Sequence, residues 1–519
     1  MFHKFHKGQY ISRDVGDEVE FSAETNPPST STDNFYNLVS ISSSTGTETS
    51  AYSTSTGKVK YKFDSVSTLQ NIYKGVTATC GSSEVALNVG VVGVKEISVG
   101  TGTSKIISTT DSPGASETYY VEKGSGSVTV TAKHDPSIVV SWPTGKPTWS
   151  SGVTPGSGSS INTATFPITT VSSTSSGTTV RATCGTSKKA LKIVVVDVNV
   201  ENILFNHNRT SSTNDALNIR ENYSTALSLP EFSKGGSNNP SAYIKGSSVT
   251  ILARLSVKPN TITSAKIKAI STDTNGSLGD LAEKSVTFNS GISQEGSDDT
   301  STSGINESEY VEFDVQGALP SKVFTSTESW KWVVTEIDGN AVSGELEVDS
   351  TSGHEVYVLW DTPKAPWTQT VNDAMNPWVS ALEYAVVTSG ADGETTEDDA
   401  MSAITNSQNS AKSYIGSSQY YSFSGGTWSF TNFMTGTDGN CLDFAVALDA
   451  TASVIGMSVA AKRKTDFYGY NFHCFTRKST YVYDSCPGVL NIKTAYSSYI
   501  SAGSPASTSV ESPETHSIR

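Results

Sequence analysis

A cysteine stands where a helix is predicted to begin, within the segment 438–448. Asn440 is a favoured N-cap residue, and from Cys441 the apolar residues recur at the three- and four-residue spacing of a helix face until Gly456 ends the pattern. A cysteine in the first helical turn lies beside unpaired backbone N–H groups and the positive end of the helix dipole. Because thiols placed in this way have a pKa of about 3.5–7.5 rather than about 8.5, the pattern predicts that Cys441 is a nucleophile.

A nucleophilic thiol needs a general base, and the base needs a residue that orients it. Two aromatic-rich segments downstream of Cys441 indicate strands, and a polar stretch between them indicates a turn. If Thr476 pairs with Tyr481 across a four-residue loop, His473 lies directly opposite Asp484 on one face of the sheet. The turn therefore predicts an imidazole paired with a carboxylate.

These residues resemble the transglutaminase-like superfamily. The similarity lies in Gly-Asn-Cys-Leu-Asp-Phe-Ala at 439–445, in His473 followed two residues later by the aromatic Phe475, and in Asp484 after an aromatic residue on the next strand. More narrowly, they are similar to the C-terminal transglutaminase-like domain of bacterial surface proteins that carry Ig-like repeats. Phe475 stands where many members have tryptophan, and the interval between Cys441 and His473 is short.

The resemblance implies a papain-like triad of Cys441, His473 and Asp484 that acts on peptide or isopeptide amide bonds without a cofactor or a metal. Hydrolysis is favoured over crosslinking, because nothing in the sequence marks an amine acceptor site. The N–H of Cys441 is one expected donor to the oxyanion. The implied partner is a protein or peptide substrate, and a cell-surface polymer is a second candidate.

A different class of function is a non-catalytic surface adhesin or structural protein that keeps the fold as a binding module. A single cysteine on an apolar helix is usually a small core residue, and a single histidine in a strand usually has a structural hydrogen bond. Thiol reactivity distinguishes the two hypotheses, since a triad cysteine alkylates at low pH and a core cysteine does not.

The other cysteines are expected to be structural. Cys80 and Cys184 occupy equivalent positions in two repeats and are predicted to be buried strand thiols. Cys474 falls on the strand face opposite His473, whereas Cys486 falls on the same face, so that a disulfide between Cys474 and Cys486 is disfavoured. Cys474→Ser, a change on the opposite face, is accordingly expected to leave amidase activity largely unchanged.

Composition bounds the class of protein. Only 17% of the 519 residues are charged and the net charge is −15, which suits extracellular β-domains and argues against nucleic-acid binding. The densest basic run, 462–464, indicates a solvated strand end. There is no apolar run long enough for a transmembrane helix and no signal-peptide core at the N-terminus. An extracellular or cell-surface location then requires a truncated or mis-started N-terminus, or another export route.

The chain contains an internal repeat. Residues 76–87 recur as 180–191, at an offset of 104 residues, which fits tandem Ig-like sandwiches. The predicted fold class is therefore multidomain, with tandem all-β Ig-like sandwiches followed by an α+β transglutaminase-like domain. The predicted domains are Ig-like β-sandwiches at 1–100 and 101–200, a β-rich domain at 201–362, the transglutaminase-like domain at 363–500 and a disordered tail at 501–519.

Two further patterns are testable in the structure. Trp330 and Trp332 share strand parity and fit either core packing or a face that stacks on sugars, of which core packing is the commoner. Asn376 with Pro377 predicts the start of one helix, and Thr396 is the predicted N-cap of a second helix at about 397–413.

Overall fold

Strands dominate the chain, as its alternating segments predict. In this computed structural model the described residues are 2–4, 10–14, 18–22, 39–43, 47–53, 58–62, 74–80, 83–100, 104–106, 117–124, 126–135, 142, 145–174, 177–207, 215–273, 278–294, 307–367, 376–416, 421–422, 427–467, 470–488, 493–501, 508–510 and 517–518. They divide into two units, of which the first is Met1–Asp197, Lys258–Ile262 and Thr335–Leu346, and the second is Val198–Val257, Thr263–Val334 and Glu347–Arg519.

The strands of the N-terminal part are β1 (Phe2–Lys4), β2 (Tyr10–Asp14), β3 (Glu18–Ser22), β4 (Val39–Ser43), β5 (Thr47–Ser53), β6 (Lys58–Lys62), β7 (Lys74–Cys80), β8 (Ser83–Val99), β9 (Ser104–Ile106), β10 (Glu117–Glu122), β11 (Ser127–Asp135), β12 (Thr148–Trp149), β13 (Thr154–Pro155), β14 (Thr163–Pro167), β15 (Thr178–Cys184) and β16 (Ser187–Leu204). Those of the middle part are β17 (Phe232–Ser233), β18 (Ser241–Ile244), β19 (Thr250–Lys258), β20 (Ser264–Ser271), β21 (Leu281–Asn289), β22 (Ile292–Gln294), β23 (Tyr310–Asp314), β24 (Phe324–Ile337) and β25 (Asn340–Leu359).

The C-terminal part has the helices α1 (Val379–Glu383), α2 (Glu397–Ala411), α3 (Phe430–Thr435), α4 (Cys441–Val454) and α5 (Tyr496–Ser501). Its strands are β26 (Ser413–Tyr414), β27 (Tyr421–Ser422), β28 (Thr427–Trp428), β29 (Asp438–Gly439), β30 (Ala460–Phe467), β31 (Tyr470–Lys478), β32 (Tyr481–Tyr483), β33 (Lys493–Ala495), β34 (Thr508–Val510) and β35 (Ser517–Ile518). Single 3₁₀ turns lie at Gly158–Ser160 and Glu307–Glu309.

The repeat forms two equivalent hairpins in the first unit. β7 pairs with β8 so that Val76 is opposite Leu87, and β15 pairs with β16 so that Val180 is opposite Leu191, 104 residues later in both strands. Identical registers confirm the repeat and the tandem β organisation. Cys184 is fully buried, as predicted, whereas the side chain of Cys80 lies outside the described residues.

Trp330 and Trp332 belong to the core of the second unit. Both side chains are fully buried, and their Nε1–H groups donate to Gly279 O (2.8 Å) and Thr351 Oγ1 (3.1 Å). A buried and hydrogen-bonded indole has no face for a sugar to stack on, so the sugar-stacking hypothesis is wrong for this pair.

Of the two helix starts predicted for the C-terminal part, the structure confirms one and displaces the other. Thr396 caps α2 as predicted, since its side chain accepts a hydrogen bond from Asp399 N (3.1 Å). The first helix begins at Val379, with Trp378 rather than Asn376 as its N-cap. The reason is that the carbonyl of Pro377 accepts a hydrogen bond from the backbone of Arg220, which keeps the chain extended through Trp378.

Helix α4 is central to the second unit, because all of its residues from Cys441 to Val454 are buried. It packs against α1, α2, β30 and β31. Gly456 ends it as predicted, with a φ of 90°, and a Cβ at this position would meet Asp361 O at 2.1 Å. The tight approach of two chain segments therefore requires glycine there.

One hydrophobic core joins the middle and C-terminal parts of the second unit. It contains Ala242, Tyr357 and Leu359 as well as Trp378 and Leu448, so that it extends across residue 363, where the sequence predicts a domain boundary. The five-stranded sheet of the C-terminal part has the order β33-β32-β31-β30-β34. Strands β34 and β35 lie within the segment that is predicted to be a disordered tail.

The basic run 462–464 is not the solvated strand end that the sequence predicts. Lys464 is only 1% exposed, and its Nζ donates to Ile500 O (2.5 Å), so this lysine is part of the interior rather than of a solvated strand end. The long apolar stem of lysine fits such a position when a carbonyl receives the ammonium group. Among the described residues, no helix is long and apolar enough to cross a membrane.

Candidate active site

The N-terminus of α4 is fixed by a reciprocal capping box. Asn440 Oδ1 accepts hydrogen bonds from the N–H groups of Leu442 (2.9 Å) and Asp443 (3.0 Å), and Asp443 Oδ2 accepts the N–H of Asn440 in return (3.0 Å). The second oxygen of Asp443 accepts a hydrogen bond from Trp428 Nε1 (3.2 Å). Cys441, the first helical residue, is thereby held in one orientation at the positive end of the helix.

Two replacements of Asn440 distinguish its role as a helix cap from the effect of a charge at the same position. Asn440→Ala should lower the free energy of unfolding by about 1 kcal/mol, because the N–H groups of Leu442 and Asp443 lose their acceptor. Asn440→Asp should retain most of the stability but raise the pKa of Cys441, because it places a negative charge next to the thiolate. Urea unfolding and alkylation of Cys441 as a function of pH measure the two effects, and equal destabilisation by both changes would contradict the role of the cap.

The hairpin that carries the other two residues has a shorter turn than predicted. Lys478 pairs with Tyr481, and Thr476 pairs with Tyr483 rather than with Tyr481, so the loop consists of Ser479 and Thr480 alone. Ser479 supplies the positive φ (54°) that a two-residue turn needs. The predicted register is therefore wrong by two residues.

His473 and Asp484 nevertheless meet. A shift of two residues keeps every side chain on its predicted face, and the two residues become diagonal neighbours instead of directly opposed ones. His473 Nε2 lies 2.7 Å from Asp484 Oδ2, and both side chains are buried.

Asp484 is held by two further donors. The N–H of Cys486 donates to Oδ1 (3.0 Å), and the hydroxyl of Tyr499 on α5 donates to Oδ2. Tyr499 also packs with Phe475 and Val482 in a small cluster of buried side chains. Three donors on one buried carboxylate satisfy its oxygens and fix its direction.

Cys441 accepts hydrogen bonds from two residues of β31. The bond from the Cys474 side chain has the largest effect on the pKa of Cys441, burial of the sulfur opposes it, and the hydrogen bond and charge of His473 lower the pKa further, as does the backbone of Cys474. Together they bring the pKa of Cys441 down to about 5. The thiolate is therefore the main form of this residue at neutral pH.

His473 is shifted in the complementary direction. Burial disfavours the charged imidazole, but the hydrogen bonds to Asp484 and Cys441 and their negative charges outweigh it and raise the pKa of His473 to about 9. Because Asp484 occupies Nε2, the ring presents Nδ1 to the sulfur. Between pH 5 and 9 the pair is thus a thiolate beside an imidazolium, the form in which a cysteine nucleophile and its base are ready to react.

The prediction for Cys474 needs a correction. Alternation along β31 places Cys474 and His473 on opposite faces, yet Cys474 reaches Cys441 through both its side chain and its backbone. Cys474 is therefore part of the environment of the thiolate, and we expect its replacement to change the activity. Cys441, Cys474 and Cys486 are all buried thiols, and within the described part of the chain none of them is in a disulfide.

Cys486 lies on the site side of the hairpin, as predicted. Burial raises the pKa of its thiol, and the negative charges of Asp484 and Cys441 raise it further. Cys486 is thus an un-ionised thiol beside an ionised one.

One candidate oxyanion donor lies on the backbone of α4. The N–H of Cys441 belongs to the first turn of α4, where no carbonyl of the helix itself can accept it. The indole of Trp428, upstream in sequence, is already used by Asp443 and is not a second donor. Gly425 and Gly426, in the same upstream segment, lie outside the described residues.

Three contributors to the site were missed by sequence reasoning. Asp443 was detectable, since an acid three residues after an N-cap asparagine is a capping-box signature. Cys474 is adjacent to His473, but strand alternation alone predicts that its side chain faces away from the site. Tyr499 had no local signal, because its role depends on a tertiary contact of α5 with the hairpin.

Comparisons with known proteins do not assign the chain to a family. No protein-family model matches it, and no curated protein matches it. Among solved structures, the I9–I11 tandem of titin is 12% identical with a TM-score of 0.20 over 68% of this chain and 97% of that chain. Red sea bream transglutaminase is 8% identical with a TM-score of 0.23, over 52% of this chain and 49% of its own.

A third similar structure is that of domains 1–6 of the surface layer protein SbsC, which is 14% identical with a TM-score of 0.16 over 70% of this chain and 42% of that chain. TM-scores of this size do not establish a common fold. The function proposed below therefore relies on the contacts among Cys441, His473 and Asp484.

Proposed function

We propose that the chain is an extracytoplasmic cysteine enzyme of transglutaminase-like type that cleaves peptide or isopeptide amide bonds. Cys441, His473 and Asp484 are the proposed catalytic residues, carried by an α+β domain that follows Ig-like sandwiches. The observation that supports this most directly is the continuous set of contacts from the sulfur of Cys441 through the ring of His473 to the carboxylate of Asp484.

The reaction follows from the charge state of the pair. The Cys441 thiolate attacks the amide carbonyl carbon, and the N–H of Cys441 lies at the helix end to receive the developing oxyanion. His473, already protonated, gives its proton to the departing amine, which leaves an acyl group on the sulfur. His473 then takes a proton from water, which attacks the thioester and releases the acid. An amine in place of this water would give transfer instead of hydrolysis.

Asp484 holds the imidazole throughout. Its hydrogen bond to Nε2 fixes the ring plane and the tautomer, and its charge stabilises the imidazolium. Tyr499 and the backbone of Cys486 in turn fix Asp484. Each side chain in this sequence thus has a partner that restricts its rotation.

One observation favours the competing hypothesis of a non-catalytic binding module. The residues Cys441 and His473 are each only 7% exposed, so a substrate has a narrow approach to the sulfur. A buried set of polar contacts can also serve only to specify a packed core.

The test is peptide cleavage by the full chain. A peptide library whose amines have all been methylated is incubated with the protein, and the new free amines are identified by mass spectrometry. We expect cleavage that is lost in Cys441→Ala and His473→Gln. A matched control is Thr451→Val, which changes a buried polar residue of α4 remote from its N-terminus and should retain cleavage.

A glutaminyl-lysine isopeptide substrate and a labelled amine acceptor distinguish hydrolysis from transfer. Cleavage that persists in Cys441→Ala, or a complete lack of products from all substrates by the folded chain together with an unshifted pKa of Cys441, would overturn the proposal and favour the binding module.

A further inference from the structure

His354 on β25 is a buried ionisable residue that the proposed reaction does not use. Its side chain is 0% exposed, and neither ring nitrogen has a hydrogen-bond partner among the described residues. Buried polar groups are nearly always hydrogen-bonded, because an unpaired one loses its hydration without compensation. An imidazole held in this way is tolerated only while it is uncharged.

Three aromatic rings contact the imidazole. The ring centroid of Phe232 lies 5.0 Å away at an interplanar angle of 74°, that of Trp330 at 5.2 Å and 31°, and that of Phe205 at 5.6 Å and 54°. All four residues belong to the second unit. An imidazolium has two N–H donors, and aromatic carbon offers neither of them a lone pair. A proton on His354 would therefore place an unsatisfied charge inside an aromatic cluster.

Ionisable residues also lie on or beside the elements that pack against His354. They are His207, Glu231 and Lys234 near the two phenylalanines, Glu328 on β24, Tyr243 on the adjacent strand β18, and Glu355 next to His354 itself. Glu231 and Glu328 each accept two hydrogen bonds from other groups. Lys234 forms an ion pair with Asp349 (2.8 Å), and Glu355 accepts the hydroxyl of Tyr357 (2.7 Å). Burial alone shifts the pKa of His354, so none of these groups compensates a charge on its ring.

We propose that His354 is an acid-sensitive switch of the second unit: the proton that its ring gains on acidification separates it from Phe205, Phe232 and Trp330, and the unit opens. The inference concerns the stability of the unit and holds whether or not the candidate site cleaves amides.

The direction of the effect follows from proton binding in the two states. Burial lowers the pKa of His354 from its ordinary value of 6.5 to about 4. In this interval the unfolded chain binds a proton that the folded chain does not, so stability is lost as the pH falls. The difference should raise the equilibrium constant of unfolding about 150-fold between pH 7.5 and pH 4. Well below pH 4 both states are protonated, and the contribution of His354 changes no further.

Strand β25 connects this cluster to the core around α4. His354 and Val356 lie on one face of the strand, and Tyr357 and Leu359 lie on the other. Tyr357 and Leu359 belong to the hydrophobic core that also contains Leu448 of α4. Displacement of β25 by a charged ring therefore loosens the packing that supports the candidate active site.

The experiment unfolds the full chain in urea at pH 7.5 and at pH 4, followed by tryptophan fluorescence, since most tryptophans lie in the second unit. His354→Phe keeps an aromatic ring but removes the ionisable nitrogens. Because carboxylates also titrate in this range, the readout is the unfolding constant of the wild-type chain divided by that of the variant. We expect this ratio to rise about 150-fold from pH 7.5 to pH 4.

The matched control is His134→Phe. His134 lies in the first unit and contacts the ring of Trp142 (5.4 Å), so the transition of the second unit should give the same ratio at both pH values. If His354→Phe does not fold, His354→Leu replaces it.

A ratio for His354→Phe that is equal at pH 7.5 and pH 4 would overturn the inference, since it would mean that the faces of the rings stabilise the imidazolium. An NMR titration of the wild-type chain with labelled histidine gives a second reading. A His354 ring signal that stays neutral until the chain unfolds supports the switch, and one that titrates near pH 6.5 in the folded chain contradicts it. A lack of amide cleavage bears only on the proposed function and leaves both readouts unaffected.

Discussion

Alkylation of Cys441 by iodoacetamide should proceed at nearly the same rate at pH 6 and at pH 8.5. With a pKa of about 5, Cys441 is almost wholly thiolate at both values. An ordinary thiol of pKa about 8.5 is roughly 0.3% ionised at pH 6 and half ionised at pH 8.5, so its rate should rise about 150-fold over the same interval. The ratio of the two rates is informative even though burial slows both of them.

The reference for this measurement is the same chain unfolded in urea, where Cys441 should regain the steep profile of a free thiol. The pKa shifts of Cys441 and His473 determine how alkylation and cleavage depend on pH. Protonation of the thiolate below about pH 5 should stop alkylation and amide cleavage, whereas loss of the imidazolium proton above about pH 9 should stop cleavage only. A steep rise of alkylation toward pH 8.5 in the folded chain would show that Cys441 is an ordinary core thiol.

Asp484→Asn should reduce amide cleavage by a factor on the order of 10²–10⁴, the usual contribution of a positioned acid–base residue. An asparagine amide cannot stabilise the imidazolium, and its NH₂ group would face a donor where the carboxylate accepts one. The change should also lower the free energy of unfolding by about 1–3 kcal/mol, because one buried donor loses its acceptor. Since each factor of ten in rate equals about 1.4 kcal/mol, the kinetic loss should match or exceed the loss of stability.

Asp449→Asn is the matched control for this prediction. Asp449 lies on α4, remote from the helix N-terminus, and is buried like Asp484. It accepts hydrogen bonds from Ala461 N (2.8 Å) and Ser453 Oγ (3.2 Å). Its replacement should destabilise the chain to a similar degree and leave kcat unchanged once folding is ensured. If both variants lost cleavage equally, the effect of Asp484 would be one of stability and not of catalysis.

Local rules predicted the parts of the site that depend on local structure. The start of α4 follows from the capping preference of Asn440, and its end from Gly456, because caps act within a few residues of the chain. The meeting of His473 with Asp484 survived an error of two residues in register, since the side-chain period of a strand is two. An error of one residue would have placed the two side chains on opposite faces.

The remaining features depend on packing between distant segments. The turn at Ser479 and Thr480 contains neither glycine nor asparagine, so its two-residue length had no sequence signal. Lys464 is buried because Ile500 offers a carbonyl to its ammonium group, a contact that no local pattern encodes. The contact of Cys474 with Cys441 likewise depends on where the end of a helix meets a strand, which strand alternation alone does not specify.

Because α4 is completely buried, Cys441 keeps its low pKa for as long as the unit that contains it stays folded. The ends of helices usually open locally, at a small free-energy cost, long before the whole structure does. In α4 the first turn lies under packed side chains like the rest, so that such fraying would expose Leu442 and Phe444 to water. Local opening at Cys441 is therefore suppressed, and its low pKa persists until the surrounding core itself unfolds.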